Sequence, residues 1–324
     1  MHRRSALLTC ASALAALITA SAQPARAEWP ERTITIVVPF AAGGPGDVVG
    51  RLVASELAKK LNQSVIVENR VGASGNIGLT TVARAAPDGY TLTAMSNVIL
   101  INPAVGKTPY DPLTDFAPVA FLGGSPNAII ASPKSGISTI QELIDKARAN
   151  PGKLTYATAG VGSVSQLAVE LLKLRAKIDM IHVPYAGASQ SLQAAASNTT
   201  NTASVAIGGV VGNIKSGMVK ALVQTGAERW PELPDVPTMQ EAGIPNAVVE
   251  TWQMLLAPAK TPEPVIKKLT DAVQAIMQDP DIQAKLQKVG LKPGYAGPQD
   301  LHARMAKEMP MWKEIVDRAG IRRE

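Results

Sequence analysis

The feature that most constrains the fold is a pattern of strand, glycine-rich loop, amphipathic helix and second strand within residues 33–68. Residues 33–38 are an apolar run rich in β-branched side chains, which predicts a strand. Residues 48–61 carry apolar side chains at helical spacing on one side and charged side chains on the other, which predicts an amphipathic helix. A second strand is predicted at residues 64–68. Because one helix joins the two strands, the segment predicts a βαβ unit with a right-handed crossover, and hence a parallel sheet.

The same alternation continues along the chain and predicts an α/β fold. Ser138 is the expected N-cap of a helix at residues 138–150. Residues 228–245 contain four prolines and predict a long surface loop. A chain of 324 residues has room for about two domains. Further strands are predicted at 90–94, 154–158, 179–183 and 220–225, and further helices from 165 onwards and at 263–278, 281–289 and 299–319.

The first 27 residues predict a signal peptide that is removed on export. A short basic segment precedes an apolar stretch at residues 6–20, and an A-x-A pattern places the cleavage site after Ala27. A cut after Ala22 is the alternative. The basic segment lacks the Phe-Leu that follows the arginines of a twin-arginine signal. Cys10 precedes the apolar stretch instead of ending it, so a lipid anchor is not expected.

Without this segment the chain has no cysteine and keeps two histidines, His182 and His302. A zinc or iron–sulfur site takes three or four such ligands, so no metal and no cofactor is expected. Loss of three arginines lowers the basic residues from 32 to 29 against 26 acidic ones, and the net charge from +6 to +3. This charge is scattered and aromatic residues are few, which argues against nucleic-acid binding. No further apolar run of about 18 residues follows, so a soluble exported protein is expected.

Two glycine-rich loops stand where a predicted strand passes into a predicted helix. They are residues 40–47 (FAAGGPGD) and residues 159–165 (AGVGSVS). Backbone N–H groups in such loops, together with the partial positive charge of a helix N-terminus, favour an anion such as a carboxylate. Ligands of open parallel sheets bind at this carboxyl edge. The alternative is a purely structural turn from strand to helix, capped by Asp47 in the first loop or by Ser165 in the second.

Enzyme motifs are incomplete in this chain. The glycines around Pro45 resemble a dinucleotide-binding loop, and Glu68 stands where a ribose-binding acid would, but Pro45 removes a phosphate-facing N–H. No G-x-S-x-G nucleophile motif is present. His182 lies in a predicted apolar strand, where a structural role is favoured, and His302 is expected to face solvent. No catalytic residue is therefore expected, and the chain is predicted not to be an enzyme.

A series of short motifs follows one order along the whole predicted mature chain. With these motifs the sequence resembles the substrate-binding proteins of the tripartite tricarboxylate transporter system, also called Bug receptors. The motifs are WPERTITIVVPFAAGGPGD (29–47), VENR (67–70), GASGNIG (72–78), APDGYTL (86–92), YDPLTDFAPV (110–119), NPGK (150–153), HVPYAG (182–187), Arg229, LPDVPT (233–238), EAG (241–243), Trp252 and Pro258.

The resemblance implies a type II periplasmic-binding-protein fold, with two α/β lobes, a central cleft and a hinge. Lobe 1 would comprise residues 28–124 and 251–324, and lobe 2 residues 125–250, with crossings near 123–125 and 250–252. The family's function implies a monomeric periplasmic receptor that closes on a small organic acid and delivers it to membrane transporter subunits, without a cofactor. The alternative is a periplasmic sensing subunit that presents a carboxylate to a signalling partner.

The resemblance also implies which residues contact the ligand, and it assigns neither a catalytic residue nor a metal ligand. The implied contacts of lobe 1 are Phe40, Gly43, Gly44, Asp47 and Ser96. Those of lobe 2 are Gly160, Gly162, Ser163, Ser165, Tyr185, Gly187 and Ala188.

The sequence departs from the family's usual pattern at three places. Gly46 stands where a side chain such as Thr is usual, and Gln166 where the second loop commonly has histidine. Residues 197–202 (SNTTNT) lack the aspartate that often follows two glycines there. Because that aspartate could receive a ligand amine, its absence argues against an amino acid and favours a ligand with a plain carboxylate or uncharged end.

Overall fold

The order of strands in the sheet decides where the two glycine loops lie. The computed structural model describes residues 28–321, so the predicted signal peptide lies outside the described residues. Residues 28–31 form neither helix nor strand, and a single compact unit begins at Arg32. None of the helices among the described residues is both long enough and apolar enough to cross a membrane.

Within residues 28–321, ten strands alternate with helices on both faces of the sheet. The strands are β1 (Ile34–Val38), β2 (Val65–Asn69), β3 (Thr91–Ser96), β4 (Phe116–Ala131), β5 (Thr155–Thr158), β6 (Ile181–Pro184), β7 (Thr202–Ala206), β8 (Lys220–Gln224), β9 (Glu250–Pro258) and β10 (Lys292–Ala296). The α-helices are α1 (Pro45–Leu61), α2 (Asn76–Ala83), α3 (Val98–Val105), α4 (Ile140–Ala149), α5 (Val164–Ala176), α6 (Ala188–Ala196), α7 (Val211–Lys215), α8 (Glu263–Met277), α9 (Pro280–Lys288) and α10 (Pro298–Arg318).

The sheet contains two groups of parallel strands joined by antiparallel ones. Its order is β2-β1-β3-β9-β4-β7-β5-β6, with β8 and β10 also paired to β4. Strand β1 is parallel to β2 and β3, and β5 is parallel to β6 and β7. The predicted α/β class and the βαβ unit at the start of the chain are confirmed. Two parallel groups, each followed by helices, are what the repeated strand–loop–helix pattern requires.

Strand β4 belongs to both parts of the sheet. Residues 116–126 pair with β9, and residues 127–131 pair with β7. The pairing with β9 shifts register near Gly123, where a Cβ atom would lie 2.5 Å from the Lys292 carbonyl oxygen. A glycine is therefore required where β10 approaches β4, and such a glycine marks a local irregularity in a strand.

The carboxyl edges of the two parallel groups meet at one short segment of β4. Ser96, the last residue of β3, pairs with Gln253, and Gln253 pairs with Gly123. Ala206, the last residue of β7, pairs with Asn127. Gly123 and Asn127 are four residues apart, or about 13 Å along an extended strand. The loops that follow the parallel strands of both groups therefore lie on either side of this segment.

Side chains of β4 alternate between two hydrophobic clusters. Ile129 and Ala131 belong to the larger one, which also contains Trp252 and Trp312, both almost completely buried. Ala128 and Ile130 belong to the smaller one. Because successive side chains of a strand point to opposite faces, helices cover β4 on both sides.

Two predicted helix starts differ from those observed. Helix α1 begins at Pro45, because proline suits the first position of a helix, where its missing N–H costs nothing. Helix α4 is capped by Thr139, whose hydroxyl accepts the Glu142 N–H at 3.2 Å, so the prediction of Ser138 as N-cap is wrong. Ser138 instead donates its backbone N–H to the Glu142 carboxylate at 2.7 Å.

The proline-rich segment 228–245 has no helix, but it does not lie only on the surface as predicted. Trp230, Leu233 and Met239 are buried. The side chain of Gln224, which is fully buried, binds the segment to β8. Its amide accepts the Trp230 N–H at 2.6 Å and donates to the Val236 carbonyl at 2.6 Å. Gln224 thus holds the segment with its side chain as well as with its backbone, which donates its N–H to the Pro237 carbonyl at 2.9 Å and accepts the Met239 N–H at 3.0 Å.

Candidate functional site

The first glycine loop is fixed by the carboxylate of Asp47. This side chain is 3% exposed and accepts the Gly43 N–H at 2.9 Å. It also accepts hydrogen bonds from Arg51 Nε at 2.9 Å and from Asn69 Nδ2 at 2.8 Å. Asn69 Nδ2 also donates to the Phe40 carbonyl at 2.9 Å. The carboxylate therefore ties the loop to the next strand and to its own helix.

These contacts keep Asp47 ionised. Hydrogen bonds from Arg51, which has the largest effect, and from the Gly43 N–H and the Asn69 amide together lower the pKa of Asp47 to about 2, against the opposing effect of burial. A carboxylate that accepts several hydrogen bonds is stabilised in its charged form. The structure thus gives Asp47 a role in shaping the loop, and direct contact with a ligand stays a prediction.

Helix α1 begins with open backbone donors. Gly44 is its N-cap and Pro45 has no N–H to donate. The alternative in which Asp47 is the N-cap is therefore wrong, although its carboxylate does lie in the first turn. Within residues 28–321, no hydrogen bond reaches the N–H of Gly46 or of Asp47. Both groups lie at the positive end of a helix of 17 residues and remain available to an anion.

Two polar side chains lie beside this helix end, at the carboxyl edge of the sheet. Ser96 is 7% exposed and is the cross-strand partner of Gln253, which is 5% exposed. Gln253 Oε1 lies 3.7 Å from the position that a Cβ atom on Gly46 would occupy. Ser96 is one of the predicted contacts, whereas Gln253 was not predicted. The sequence does contain a feature that singles out Gln253, because it is the only polar residue in the otherwise apolar run at 252–258.

The second glycine loop is closed by its own side chains. Ser163 is the N-cap of α5, so the alternative that named Ser165 as the cap is wrong. Ser163 Oγ accepts the Gln166 N–H at 3.3 Å, donates to the Gly160 carbonyl at 2.7 Å and lies 2.9 Å from Ser165 Oγ. Gln166 Oε1 accepts the Gly162 N–H at 2.7 Å. Gln166 thus uses its side chain to hold the loop.

The loop after β6 packs beside this second loop. Tyr185 donates its N–H to the Thr158 carbonyl at 2.9 Å, and its own carbonyl oxygen lies 3.5 Å from a Cβ position on Gly160. Gly187 is the N-cap of α6, and Ala188 is its exposed first residue. The structure therefore brings all seven residues predicted for lobe 2 to the carboxyl ends of β5 and β6.

His182 is hydrogen-bonded within the fold. Its Nε2 atom lies 2.6 Å from Thr158 Oγ1, and its ring stacks on Tyr156 with the ring centres 5.0 Å apart. Burial lowers the pKa of His182 and raises that of Tyr156, whose hydroxyl donates to Glu170. These contacts agree with the structural role predicted for His182. His302 is exposed, as expected.

The predicted site residues form two sets, one on each part of the sheet. Phe40, Gly43, Gly44, Asp47 and Ser96 lie at the ends of β1 and β3, and the other seven at the ends of β5 and β6. Among the described residues, no hydrogen bond joins the two sets. A cavity of about 360 Å³ lies elsewhere, beside Trp230 and Lys292, and includes none of the twelve. Over residues 28–321, no group of three or more His, Asp, Glu or Cys side chains is placed to hold a metal ion.

The sequence and the fold both match known proteins. The sequence profile of the tripartite tricarboxylate transporter family receptor matches residues 49–321. The periplasmic binding protein BugD is 35% identical, with a TM-score of 0.73 over 91% of this chain and 100% of BugD.

Two further similar structures contain organic acids. Rpa4515 of R. palustris, solved with adipate, is 32% identical, with a TM-score of 0.76 over 90% of this chain and 99% of that one. MatC of Rhodopseudomonas palustris, solved with bound malate, is 36% identical, with a TM-score of 0.71 over 89% and 100% of the two chains. These matches confirm the predicted periplasmic-binding-protein fold. The predicted lobe boundaries stay a prediction.

Proposed function

The chain belongs to the tripartite tricarboxylate transporter receptor family, and from this premise we infer that it is a periplasmic receptor for a small organic acid. It would bind the acid through a carboxylate and deliver it to the membrane subunits of a tripartite transporter. The observation that carries this proposal is the pair of helix N-termini on either side of the β4 segment at 123–127. Each follows a glycine loop.

Open backbone donors at both helix ends support an anionic ligand. Gly46 and Asp47 offer theirs at α1, and no hydrogen bond within residues 28–321 reaches the N–H of Val164 or Ser165 at α5. Anions bind at such helix ends because N–H groups and the helix dipole act together. Arg51, the cation on the first turns of α1, is occupied by Asp47 and Asn69. The proposed site therefore holds its anion mainly through neutral groups.

Two similar structures and one segment of the sequence indicate which class of acid is bound. Adipate in Rpa4515 and malate in MatC are both dicarboxylates, which supports a dicarboxylate here. Residues 197–202 offer no carboxylate to an amine, so an amino acid is disfavoured. The twelve predicted contacts form the proposed site.

The proposal includes transport without catalysis. The family consists of receptors, and His182, the one partly buried histidine of residues 28–321, is bonded to Thr158. We propose a monomer that reaches the periplasm after cleavage near Ala27.

A binding screen of the mature chain tests this function. Succinate, malate and adipate are titrated by calorimetry and by thermal shift, with aspartate and glutamate as the amine-bearing comparison. A dicarboxylate present at about 100 times its Kd should stabilise the protein by about 2.7 kcal/mol. The acid should be recovered unchanged after incubation. Failure of all carboxylates to stabilise the protein would contradict the proposal.

A further inference from the structure

Two side-chain amides of buried residues, one on β9 and one on β4, lie close to the β4 segment at residues 123–127 and have no hydrogen-bonding partner within the described chain. Gln253 is 5% exposed, and no hydrogen bond among residues 28–321 involves its side chain. Asn127 is 3% exposed, and its Nδ2 atom is buried without a partner in the same part of the chain. Buried polar groups are almost always hydrogen-bonded in folded proteins, so the unpartnered Nδ2 atom of Asn127 indicates a missing partner, whereas the Gln253 amide reaches solvent and is open to a ligand.

Gln253 lies at the N-terminus of α1. It is on β9 beside Ser96, and its Oε1 atom lies 3.7 Å from a Cβ position on Gly46. The amide is thus directed at the same place as the open N–H groups of Gly46 and Asp47. Ser96, its neighbour on the sheet, also makes no side-chain hydrogen bond within residues 28–321. Backbone N–H groups, a hydroxyl and a side-chain amide, none of them hydrogen-bonded within residues 28–321, therefore meet at this helix end.

Asn127 lies close to the second glycine loop. It pairs with Ala206, which is three residues beyond the pair Ala157–Ala203, so Asn127 lies level with Gly160 along the strands. Ile129, two residues further on the same face, belongs to the cluster that contains Leu167 of α5. The Asn127 amide is therefore on the sheet face that α5 covers, at the end where that helix begins.

We propose that Gln253 and Asn127 contact the ligand, one at each end, and that each amide acts together with a helix N-terminus. This inference rests on the proposed function. The unpartnered Nδ2 atom of Asn127 is a donor, so the ligand presents an oxygen acceptor there, such as a second carboxylate or a hydroxyl group. Gln253 pairs with Gly123, which is about 13 Å from Asn127 along β4, a separation that the two side chains with a short dicarboxylate between them can span.

The test replaces each amide by an apolar group of similar size and measures the Kd for succinate, malate and adipate by calorimetry. Gln253→Met and Asn127→Leu should each raise the Kd of the bound acid about tenfold or more. Neither amide makes a hydrogen bond within residues 28–321, so neither change should lower the Tm of the ligand-free protein. Gln253→Glu and Asn127→Asp keep the size and add a negative charge, and should weaken binding still further.

Gln224→Met is the matched control. Gln224 is also fully buried, but both ends of its amide are bonded, to Trp230 and to Val236. This variant should lose thermal stability and keep a Kd close to that of the wild type. Gln253→Met and Asn127→Leu should instead keep the thermal stability of the wild type and bind the acid with a raised Kd.

The outcomes separate the two proposals. If the wild type binds none of the three acids, the proposed function fails and this inference fails with it. If the wild type binds one of them and either amide variant binds it with a Kd raised less than about fivefold, this inference alone is overturned. It is also overturned if weaker binding comes with the same loss of Tm as in Gln224→Met, because the amides would then be structural.

Discussion

Buried polar side chains in this protein have two different roles. Asn97 is completely buried, donates to the Glu250 carbonyl at 2.9 Å and accepts the Trp252 N–H at 3.3 Å, so it holds the start of β9 against β3. Asp47 holds the first glycine loop in the same manner. Gln253 and Asn127 lack such partners within the described chain. Residues of the first kind should contribute to stability, and those of the second kind to binding.

Asp47→Asn should lower the free energy of unfolding by about 2 kcal/mol at pH 7, because the ionised carboxylate is favoured in the folded state. The pKa of Asp47 in the fold, about 2, is below its ordinary value, so its contribution is complete above pH 5 and is lost as the pH falls towards 2. The difference between variant and wild type should therefore shrink below pH 4. Urea unfolding over this pH range measures it.

Asp271→Asn is the control for that experiment. Asp271 is also paired four residues away in a helix, with Lys267, but both side chains are more than half exposed. Solvent screens such a pair, so this change should cost little stability at any pH. Equal effects of the two substitutions would contradict the role given to Asp47.

Close packing of helix α2 against the first glycine loop depends on one glycine. A Cβ atom on Gly78 would lie 2.9 Å from the Arg70 carbonyl oxygen and 2.9 Å from Pro39 Cβ. Pro39 immediately precedes Phe40, so the position of the loop is set partly by how closely α2 approaches. Overpacking at such a contact forces backbone shifts.

Gly78→Ala should therefore lower the free energy of unfolding by about 1–3 kcal/mol, although alanine is the better helix former. Chemical denaturation gives the value. Gly212→Ala, in α7, is the control, because no atom lies within 4 Å of the added methyl group, and it should be neutral or slightly stabilising. A Gly78→Ala protein as stable as Gly212→Ala would show that the loop tolerates the shift.

In the whole molecule, the two parts of the sheet are joined by strand β4 and are also in contact through residues outside β4 and β9. Gly208, just after β7, packs on Gly290, just before β10, and a Cβ atom on Gly208 would lie 2.3 Å from Gly290 Cα. Lys292 and Glu228 form an ion pair at 2.5 Å close by. These contacts connect residues of predicted lobe 2 with residues of predicted lobe 1.

Gly208→Ala should force these two segments apart and lower the free energy of unfolding by about 1–3 kcal/mol. Gly209→Ala is the adjacent control, since nothing lies within 4 Å of its added methyl group. Thermal and urea unfolding of both variants measure the difference. Equal stability of the two would mean that the contact between Gly208 and Gly290 adapts without cost.

Local patterns in the sequence are enough to predict the α/β class and the position of both glycine loops at strand ends. These features depend on local patterns: apolar spacing along 48–61, and glycines between a strand and a helix at 40–47 and 159–165. The family motifs added the fold of a periplasmic receptor. Local patterns also placed the ends of the helices that they predicted within three residues, with errors where a neighbouring side chain such as Thr139 provided a better cap, but they did not predict α2, α3, α6 and α7.

Which residues meet beside residues 123–127 of β4 depends instead on long-range packing. Strands β4 and β9 are apolar over most of their length, so their sequences carry little periodicity, and their pairing depends on contacts between residues over a hundred positions apart. Whether a polar residue is satisfied depends on distant partners too: Asp47 finds Asn69, whereas Gln253 and Asn127 find none within the described chain. Local sequence specifies backbone conformation, but the satisfaction of a buried polar group is a property of the packed fold.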